Sequence, residues 1–216
     1  MLHPQHRVHD ILRRIEDNKL QPDTMKTCFG VLAIMSREES NKQMIAGEGM
    51  ATIVSIMRAH VDRIDVQESG CDLLWSLAFN NTAIKDIIAV HGGASVVVTA
   101  LKKHSKSAML LKSACGALSN MCQSKANQEA VASQGGLRPL VDAINTHQTN
   151  GKLLLFVFDA LASVIVGNDE NARMVRSPYC VCLQRDGNAV LLLYAFPDYS
   201  SYNLISWHLS SFTMIE

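Results

Sequence analysis

Glycines recur along this chain at one fixed interval. Gly49, Gly92 and Gly135 lie 43 residues apart, and the segments that contain them match: NKQMIAGEG, IKDIIAVHGG and NQEAVASQGG. Inside a helix each glycine costs roughly 1 kcal/mol relative to alanine, but glycine readily adopts the positive φ of a sharp turn between helices. Each of these sites therefore predicts a turn between a short first helix and a longer second helix.

Apolar residues follow the same interval. Leu32, Trp75, Leu118 and Leu161 are also 43 residues apart, within the segments FGVLAIM, DLLWSLA, GALSNM and FDALASV. They are predicted to occupy the buried centre of a third helix in each unit. After each glycine site, apolar residues recur at i, i+3 and i+4, the spacing of a helix that is buried on one side. Together the patterns predict helices over residues 8–17, 23–36, 50–60, 66–79, 93–104, 108–122, 137–146 and 152–166.

An interval of this length indicates an all-α fold. Units of about 40–47 residues with two or three helices are typical of α-solenoids, in which stacked units bury a core that no single unit can bury alone. The chain has 216 residues and holds nearly four such units. We therefore predict an α-solenoid of about four repeats with a 43-residue period, followed by a tail that does not repeat.

Two motifs resemble the armadillo repeat family: a short helix that ends in a glycine pair, and the pattern A-x-x-A-L-x-N-M. The fullest copies are Asn127 to Gly136 followed by Leu137 and Leu140, and Ala114, Ala117, Leu118, Asn120 and Met121. The resemblance covers residues 8 to 177 and assigns residues 1–177 to an armadillo-like repeat domain. It implies a right-handed superhelix whose third helices line a concave groove, where extended peptides or helices bind.

The implied groove supplies the candidate site residues. They are expected on the third helices, away from the apolar stripe, and they are Arg37, Asn80, Gly116, Asn120, Gln123, Asp159 and Ser163. Amide side chains suit such a groove because they both donate to and accept from a peptide backbone. We therefore predict a non-enzymatic scaffold or adaptor that binds a segment of a protein partner. An alternative stays open, a structural part of a larger array that makes its contacts through the exposed end of the solenoid.

The asparagine that the family carries in its groove matches Asn120 alone. The equivalent positions of the other units hold Ile34, Leu77 and Ser163. The nuclear-import branch of the family also carries a tryptophan one turn earlier, where this chain has Gly30, Leu73, Gly116 and Asp159. The 43-residue interval places Trp75 at the core position of Leu118 instead. The resemblance therefore does not extend to the binding of nuclear localisation signals.

Charge and hydropathy argue against several classes of function. Lys plus Arg and Asp plus Glu both number 20, so no basic excess favours nucleic acid or an acidic membrane surface. The longest mostly apolar run, Leu153 to Val166, has 14 residues and is too short to span a bilayer. The first residues are polar and lack the core of a signal peptide. The six cysteines show no CxxC spacing, which is typical of free thiols and predicts a cytoplasmic or nuclear protein.

No residue pattern indicates catalysis. The chain has no phosphate-binding loop, no GxSxG elbow and no HExxH motif. Three histidines are expected at the ends of the second helices, where a positive charge interacts favourably with the helix dipole: His60, His104 and His147. Stacked units would place them about 10 Å apart, which is too far for them to bind one metal ion. Two further groups are weak candidates for a metal site. His3, His6 and His9 lack the convergent geometry that metal ligands need, and Cys180 and Cys182, with His208, lack a second cysteine pair. We predict no enzyme activity, metal, cofactor or small-molecule substrate.

The repeat pattern stops inside a unit. Asn171 lies 44 residues after Asn127 and opens another first helix, but Pro178 and Tyr179 stand where the glycine pair is expected. Residues 178–216 contain all four tyrosines of the chain, and they are predicted to form a separate, aromatic-rich tail. The tail either caps the last unit or is an alternative end of an array that once continued. The break in mid-unit favours the second interpretation.

Overall fold

The computed structural model describes residues 4–179, and every regular element in that range is a helix. The chain divides into two compact units, Met1–Val164 and Ile165–Glu216. The predicted tail, residues 178–216, lies outside the described residues from residue 180 on. The helices are α1 (Pro4–Asn18), α2 (Pro22–Met35), α3 (Glu39–Ala59), α4 (Ile64–Ala78), α5 (Thr82–His91), α6 (Gly93–Lys103), α7 (Ala108–Met121), α8 (Lys125–Ser133), α9 (Leu137–Thr146), α10 (Gly151–Ile165) and α11 (Asp169–Tyr179).

All eight helices predicted from the sequence are present. Their bounds differ from the predicted ones by at most two residues, except that α1 begins earlier, at Pro4, and α3 begins earlier, at Glu39. The short helices expected before the glycine pairs are α5 and α8. The prediction of an all-α fold is therefore confirmed for residues 4–179.

The predicted glycine turns form at two of the three sites. Gly92 ends α5 with φ of 76°, and Gly135 lies between α8 and α9 with φ of 64°, in the left-handed region that favours glycine. The turn predicted at Gly49 is wrong, because α3 continues through that residue as one helix. A Cβ atom at position 49 would lie 2.7 Å from Cδ2 of Leu12. Gly49 therefore allows α1 to approach α3 closely.

The prediction that each third helix has a buried centre is confirmed, with one correction of register. Leu32, Leu118 and Leu161, on α2, α7 and α10, are buried, but Trp75 on α4 is only half-buried. The fully buried residue of α4 is its neighbour Leu74. The third helices α2, α4 and α7 begin at residues 22, 64 and 108, at intervals of 42 and 44 residues. Counting 43 residues back from Leu118 therefore stops one residue short of its structural counterpart, which lies 44 residues back.

Buried polar side chains at matching positions of the first helices connect the first helix of each unit to the end of its own third helix. Lys42 in α3 donates from Nζ to the carbonyl oxygen of Phe79, 3.1 Å away, just after α4. Lys85 in α5 donates to Oε1 of Gln123 just after α7, and Gln128 in α8 donates to the carbonyl oxygen of Ser163 near the end of α10. The last carbonyls of a helix have no partner within the helix. Two of these donors thus satisfy backbone carbonyls at the end of a third helix. Lys85 instead binds the side chain of Gln123, two residues after the end of the third helix α7.

The three repeated histidines end the second helices, as predicted. His60, His104 and His147 are the residues that follow α3, α6 and α9. Nε2 of His60 lies 2.6 Å from the carbonyl oxygen of Lys19, and Nε2 of His104 lies 2.7 Å from that of Val61. Two of these imidazoles therefore connect the end of a second helix to the loop of the preceding unit.

Helix length and hydropathy bear on the predicted absence of a membrane span. Among residues 4–179, no single helix is both long enough and apolar enough to cross a bilayer. The helices α5 and α6 meet that test only as a pair, bent by 68° at Gly92. Ile88 and Val97, one from each helix of the pair, are fully buried in the fold.

Candidate functional site

The predicted site residues lie at or just beyond the third helices, but in different environments. Arg37 follows α2 and is exposed. Asn80 is exposed in the turn between α4 and α5, where its φ of 52° is one that asparagine tolerates better than most residues. Gln123 is exposed beyond α7, but its side-chain oxygen already accepts a hydrogen bond from Lys85. Arg37 and Asn80 are therefore the more available of these three residues.

Gly116 is buried beneath an aromatic side chain from the neighbouring third helix. A Cβ atom at this position would lie 2.6–2.8 Å from three carbon atoms of the Trp75 indole. The indole in turn meets the ring of Phe156 on α10 edge-to-face, with ring centroids 5.5 Å apart and planes at 84°. The two rings form an aromatic bridge between α4 and α10, at the level where α7 carries Gly116. Glycine is needed here because any larger side chain would displace the indole.

Polar side chains around the aromatic bridge bind one another or the backbone. Asn120 donates from Nδ2 to the carbonyl oxygen of Trp75, 3.1 Å away. The hydroxyl of Ser163 lies 3.4 Å from that of Ser119, and Ser163 is buried. Lys112 holds its ammonium nitrogen 5.6 Å from the centre of the Phe156 ring, within the range of a cation–π contact. Asn120 and Ser163 were predicted to face a partner, but the side chain of each already makes a hydrogen bond within the chain.

An open pocket lies between the third helices α2 and α4. Its volume is about 470 Å³. Two of its apolar side chains are unusually exposed, Ile34 by 63% and Phe79 by 55%, and a third wall is the half-buried Trp75. The hydroxyls of Ser36 and Ser76 lie 2.6 Å apart and satisfy each other. The residues that line this α2–α4 pocket are Ala33, Ile34, Ser36, Arg37, Lys42, Asp72, Trp75, Ser76 and Phe79.

Three ionisable side chains line the α2–α4 pocket besides its apolar walls. Lys42 is buried, and its amine already has partners: it donates to the carbonyl oxygen of Phe79 and lies 3.4 Å from the carboxylate of Glu39. Arg37 and Asp72 are both exposed, and neither forms an ion pair with any residue in the described range. The pocket therefore offers one cation and one anion that remain available to a ligand.

Asp159 on α10 differs from the other carboxylates of the site. The residue keeps an exposed surface, yet burial of the carboxyl group among the packed helices raises its pKa above the usual value. No residue in the described range gives this carboxylate a hydrogen bond or an ion pair that would compensate. Its negative charge is therefore destabilising in the isolated chain.

We expect Asp159→Asn to raise the thermal midpoint of unfolding near pH 7 and to leave it almost unchanged near pH 3. A raised pKa means that the folded state binds the proton more tightly than the unfolded state. Stability is then lost as the pH rises from the ordinary pKa of aspartate to the raised one, and the full penalty persists above it. Thermal melts at both pH values measure the effect, with the exposed Asp72→Asn as a control. An equal gain at both pH values would contradict this explanation.

The described residues contain no evident metal site. Among residues 4–179, no three His, Cys, Asp or Glu side chains are placed to share a metal ion. Cys28, Cys71, Cys115 and Cys122 are free, buried thiols, and burial raises the pKa of Cys122 to about 12. Thiols held in the neutral form are poor nucleophiles and poor ligands. His3, Cys180, Cys182 and His208 of the other candidate groups lie outside the described residues.

Comparison with known proteins supports the class of fold. No protein-family model matches the chain. Two engineered proteins solved by the Northeast Structural Genomics Consortium are similar in structure, with TM-scores of 0.71 and 0.69 at 20% sequence identity. The first match covers 87% of this chain and 78% of the engineered one, and the second covers 85% and 76%. At that identity the likeness shows the fold alone, an all-helical and repeat-like one.

A relative by sequence covers a smaller part of the chain. Protein aardvark of Dictyostelium discoideum is 30% identical over an alignment of 110 residues, and the match covers 45% of this chain. The matched region is 14% of that protein, so the chain spans only a small part of the relative's length.

Proposed function

We propose that this chain is an armadillo-type interaction module, without enzymatic activity, that binds a segment of another protein along its third helices. The proposal includes a right-handed superhelix with a repeat of about 43 residues. Its supports are the glycine turns at Gly92 and Gly135 and the buried leucines of the third helices. The buried free thiols favour a reducing compartment, so we place the protein in the cytoplasm or nucleus.

The observation that carries the proposal is the α2–α4 pocket. Ile34 and Phe79 expose large apolar surfaces at its rim, next to the half-buried Trp75. Clustered apolar exposure is uncommon on proteins without a partner, and it marks interaction sites more often than scattered single residues do. Aromatic side chains in a recess with a polar rim are also typical of the residues that contribute most to protein binding.

We expect Phe79→Ala to weaken the binding of ligands of the α2–α4 pocket at least about fivefold, because truncation of a central aromatic contact commonly costs more than about 1 kcal/mol. Ligands come from an unbiased library of displayed peptides, selected on the full chain. Binding is then measured by fluorescence polarisation with each synthetic peptide. The matched control is Val90→Ala, which removes an apolar side chain that is 83% exposed at the end of α5.

Two results would contradict the proposal. The first is a selection that yields no peptide, and the second is a set of peptides whose affinity is unaffected by Phe79→Ala. Self-association that grows with concentration and survives Phe79→Ala would favour the alternative, a structural part of a larger array. Circular dichroism of each variant keeps loss of the fold apart from loss of the contact.

A further inference from the structure

Most of the side chains suited to holding an extended peptide already make a hydrogen bond within this chain, and the exposed Asn80 lies beyond the third helix, in the turn after α4. In the α2–α4 pocket the hydroxyls of Ser36 and Ser76 satisfy each other. On the α7 side, Asn120 donates to the carbonyl of Trp75, and Gln123 accepts from Lys85. An extended segment needs partners for its own N–H and C=O groups when it enters a site. A segment that satisfies its own backbone, an α-helix, does not have this requirement.

The aromatic bridge also limits where a ligand can lie. The indole of Trp75 covers the surface of α7 at Gly116 and reaches the ring of Phe156 on α10. The two rings offer an apolar surface at this level, and Gly116 has no side chain that could bind the backbone of a ligand. An open recess among the described residues is the α2–α4 pocket, whose volume of about 470 Å³ is within the usual range of ligand pockets.

The two available charges of the α2–α4 pocket lie at different levels along the helices. The helices α2 and α4 begin at residues 22 and 64, so Arg37 has the same register as Phe79. Asp72 precedes Phe79 by seven residues in the chain, about 10 Å along the helix axis at 1.5 Å per residue. By the same register Ile34 is level with residue 76, so Ile34 and Trp75, which both line the pocket, lie between these levels. The pocket thus presents a positive end, an apolar middle and a negative end.

We infer that the α2–α4 pocket binds an amphipathic helix of another protein, with an acidic and a basic residue seven positions apart and bulky apolar residues between them. This inference rests on the proposed function. Positions i and i+7 lie on one face of a helix, about 10.5 Å apart, which matches the spacing of Arg37 and Asp72. Apolar residues at i+3 and i+4 lie on the same face and enter the pocket between Ile34, Trp75 and Phe79.

The test uses four displayed peptide libraries selected on the full chain. Three share a helical framework with random apolar residues at i+3 and i+4, and they carry Glu/Lys, Glu/Glu or Lys/Lys at positions i and i+7. The order Lys/Glu is not a control, because a helix that binds in the opposite direction presents the same charges to the pocket. The fourth library holds extended peptides of twelve residues with fixed prolines.

We expect the wild type to enrich the Glu/Lys helices, with binding about three- to tenfold tighter than that of the matched Glu/Glu and Lys/Lys helices. Arg37→Glu should move the preference to Lys/Lys, and Asp72→Lys should move it to Glu/Glu. A reversal of preference with each variant is a result that damage to the fold does not produce. The exposed Arg37 and Asp72 make no ion pairs in the described range, so both variants should keep wild-type circular dichroism.

Other outcomes would overturn the inference in distinguishable ways. Extended peptides that depend on Phe79, together with helices that do not bind, would reject the helical ligand and leave the proposed function intact. Helices that bind equally with all three charge pairs would reject the roles of Arg37 and Asp72. Ligands from any library that ignore Phe79→Ala would reject the inference and the proposed function together.

Discussion

Leu118→Ala is expected to lower the free energy of unfolding by about 2–5 kcal/mol, the usual cost of removing a large buried side chain. Leu118 lies on α7 and is fully buried. Truncation removes its contacts and leaves a cavity, because neighbouring helices cannot collapse fully onto the gap. Urea unfolding followed by circular dichroism measures the change. Ser119→Ala, the next residue on the same helix, should cost no more than about 0.5 kcal/mol, since its hydroxyl makes only a long contact of 3.4 Å.

The same experiment tests the register of the third helices. The structure makes Leu74 the counterpart of Leu118, so Leu74→Ala should cost a similar 2–5 kcal/mol. An interval of 43 residues would instead assign that role to Trp75. A Leu74→Ala variant as stable as the wild type would show that the register in the structure is wrong. Equal costs for Leu118→Ala and Ser119→Ala would contradict the burial pattern of α7.

Periodicity of apolar residues was sufficient to predict the helices, because burial on one side imposes that spacing locally. Glycine was less informative, since it serves two physical needs. Gly92 and Gly135 supply positive φ, whereas Gly49 supplies room for Leu12 inside a continuous helix. The isolated Gly47 and Gly49 of the first unit, in place of an adjacent pair, were the available sign of this difference.

A fixed interval could not predict the environment of Trp75. Real units differ by a residue or two, and on a helix a shift of one residue turns a side chain by about 100°. That rotation separates the buried Leu74 from Trp75, which contacts Gly116 of the next third helix. A side chain as large as tryptophan also needs space on a neighbouring unit, and the sequence of one unit does not reveal that space.

Side chains with the chemistry of a peptide groove could be named from the sequence, but their availability could not, and of the residues that line the α2–α4 pocket only Arg37 was among those named. Asn120 and Gln123 have the right chemistry for a peptide groove, yet their partners, Trp75 and Lys85, are 45 and 38 residues away in the chain. The buried amine of Lys85 was missed because lysine is ordinarily an exposed residue. Only the packing of helices that are distant in the chain, within a unit or between units, brings such donors and acceptors together. The exposed pocket wall at Phe79 was missed for the same reason.

The fit between Gly116 and Trp75 should make Gly116→Ala destabilising in the wild type and stabilising in a Trp75→Ala background. In a helix, alanine gains about 1 kcal/mol over glycine. Here the added methyl group would lie 2.6–2.8 Å from the indole, closer than carbon atoms pack. Overpacking of this kind costs about 1–3 kcal/mol, which meets or exceeds the helical gain. Removing the indole removes the clash and leaves the gain alone.

A double-mutant cycle in urea isolates this contact, and we expect a coupling energy of about 1–3 kcal/mol between positions 75 and 116. The fluorescence of Trp75 gives an independent readout, measured with Trp207→Phe so that one indole remains. Gly116→Ala should alter that emission, because the indole must leave its edge-to-face contact with Phe156 to admit the methyl group. Matched controls come from Gly30, on the third helix α2, where a Cβ atom would meet nothing within 4 Å. Gly30→Ala should therefore stabilise the chain in both backgrounds, and a Gly116→Ala variant that behaves the same way would mean that the indole does not rest on Gly116.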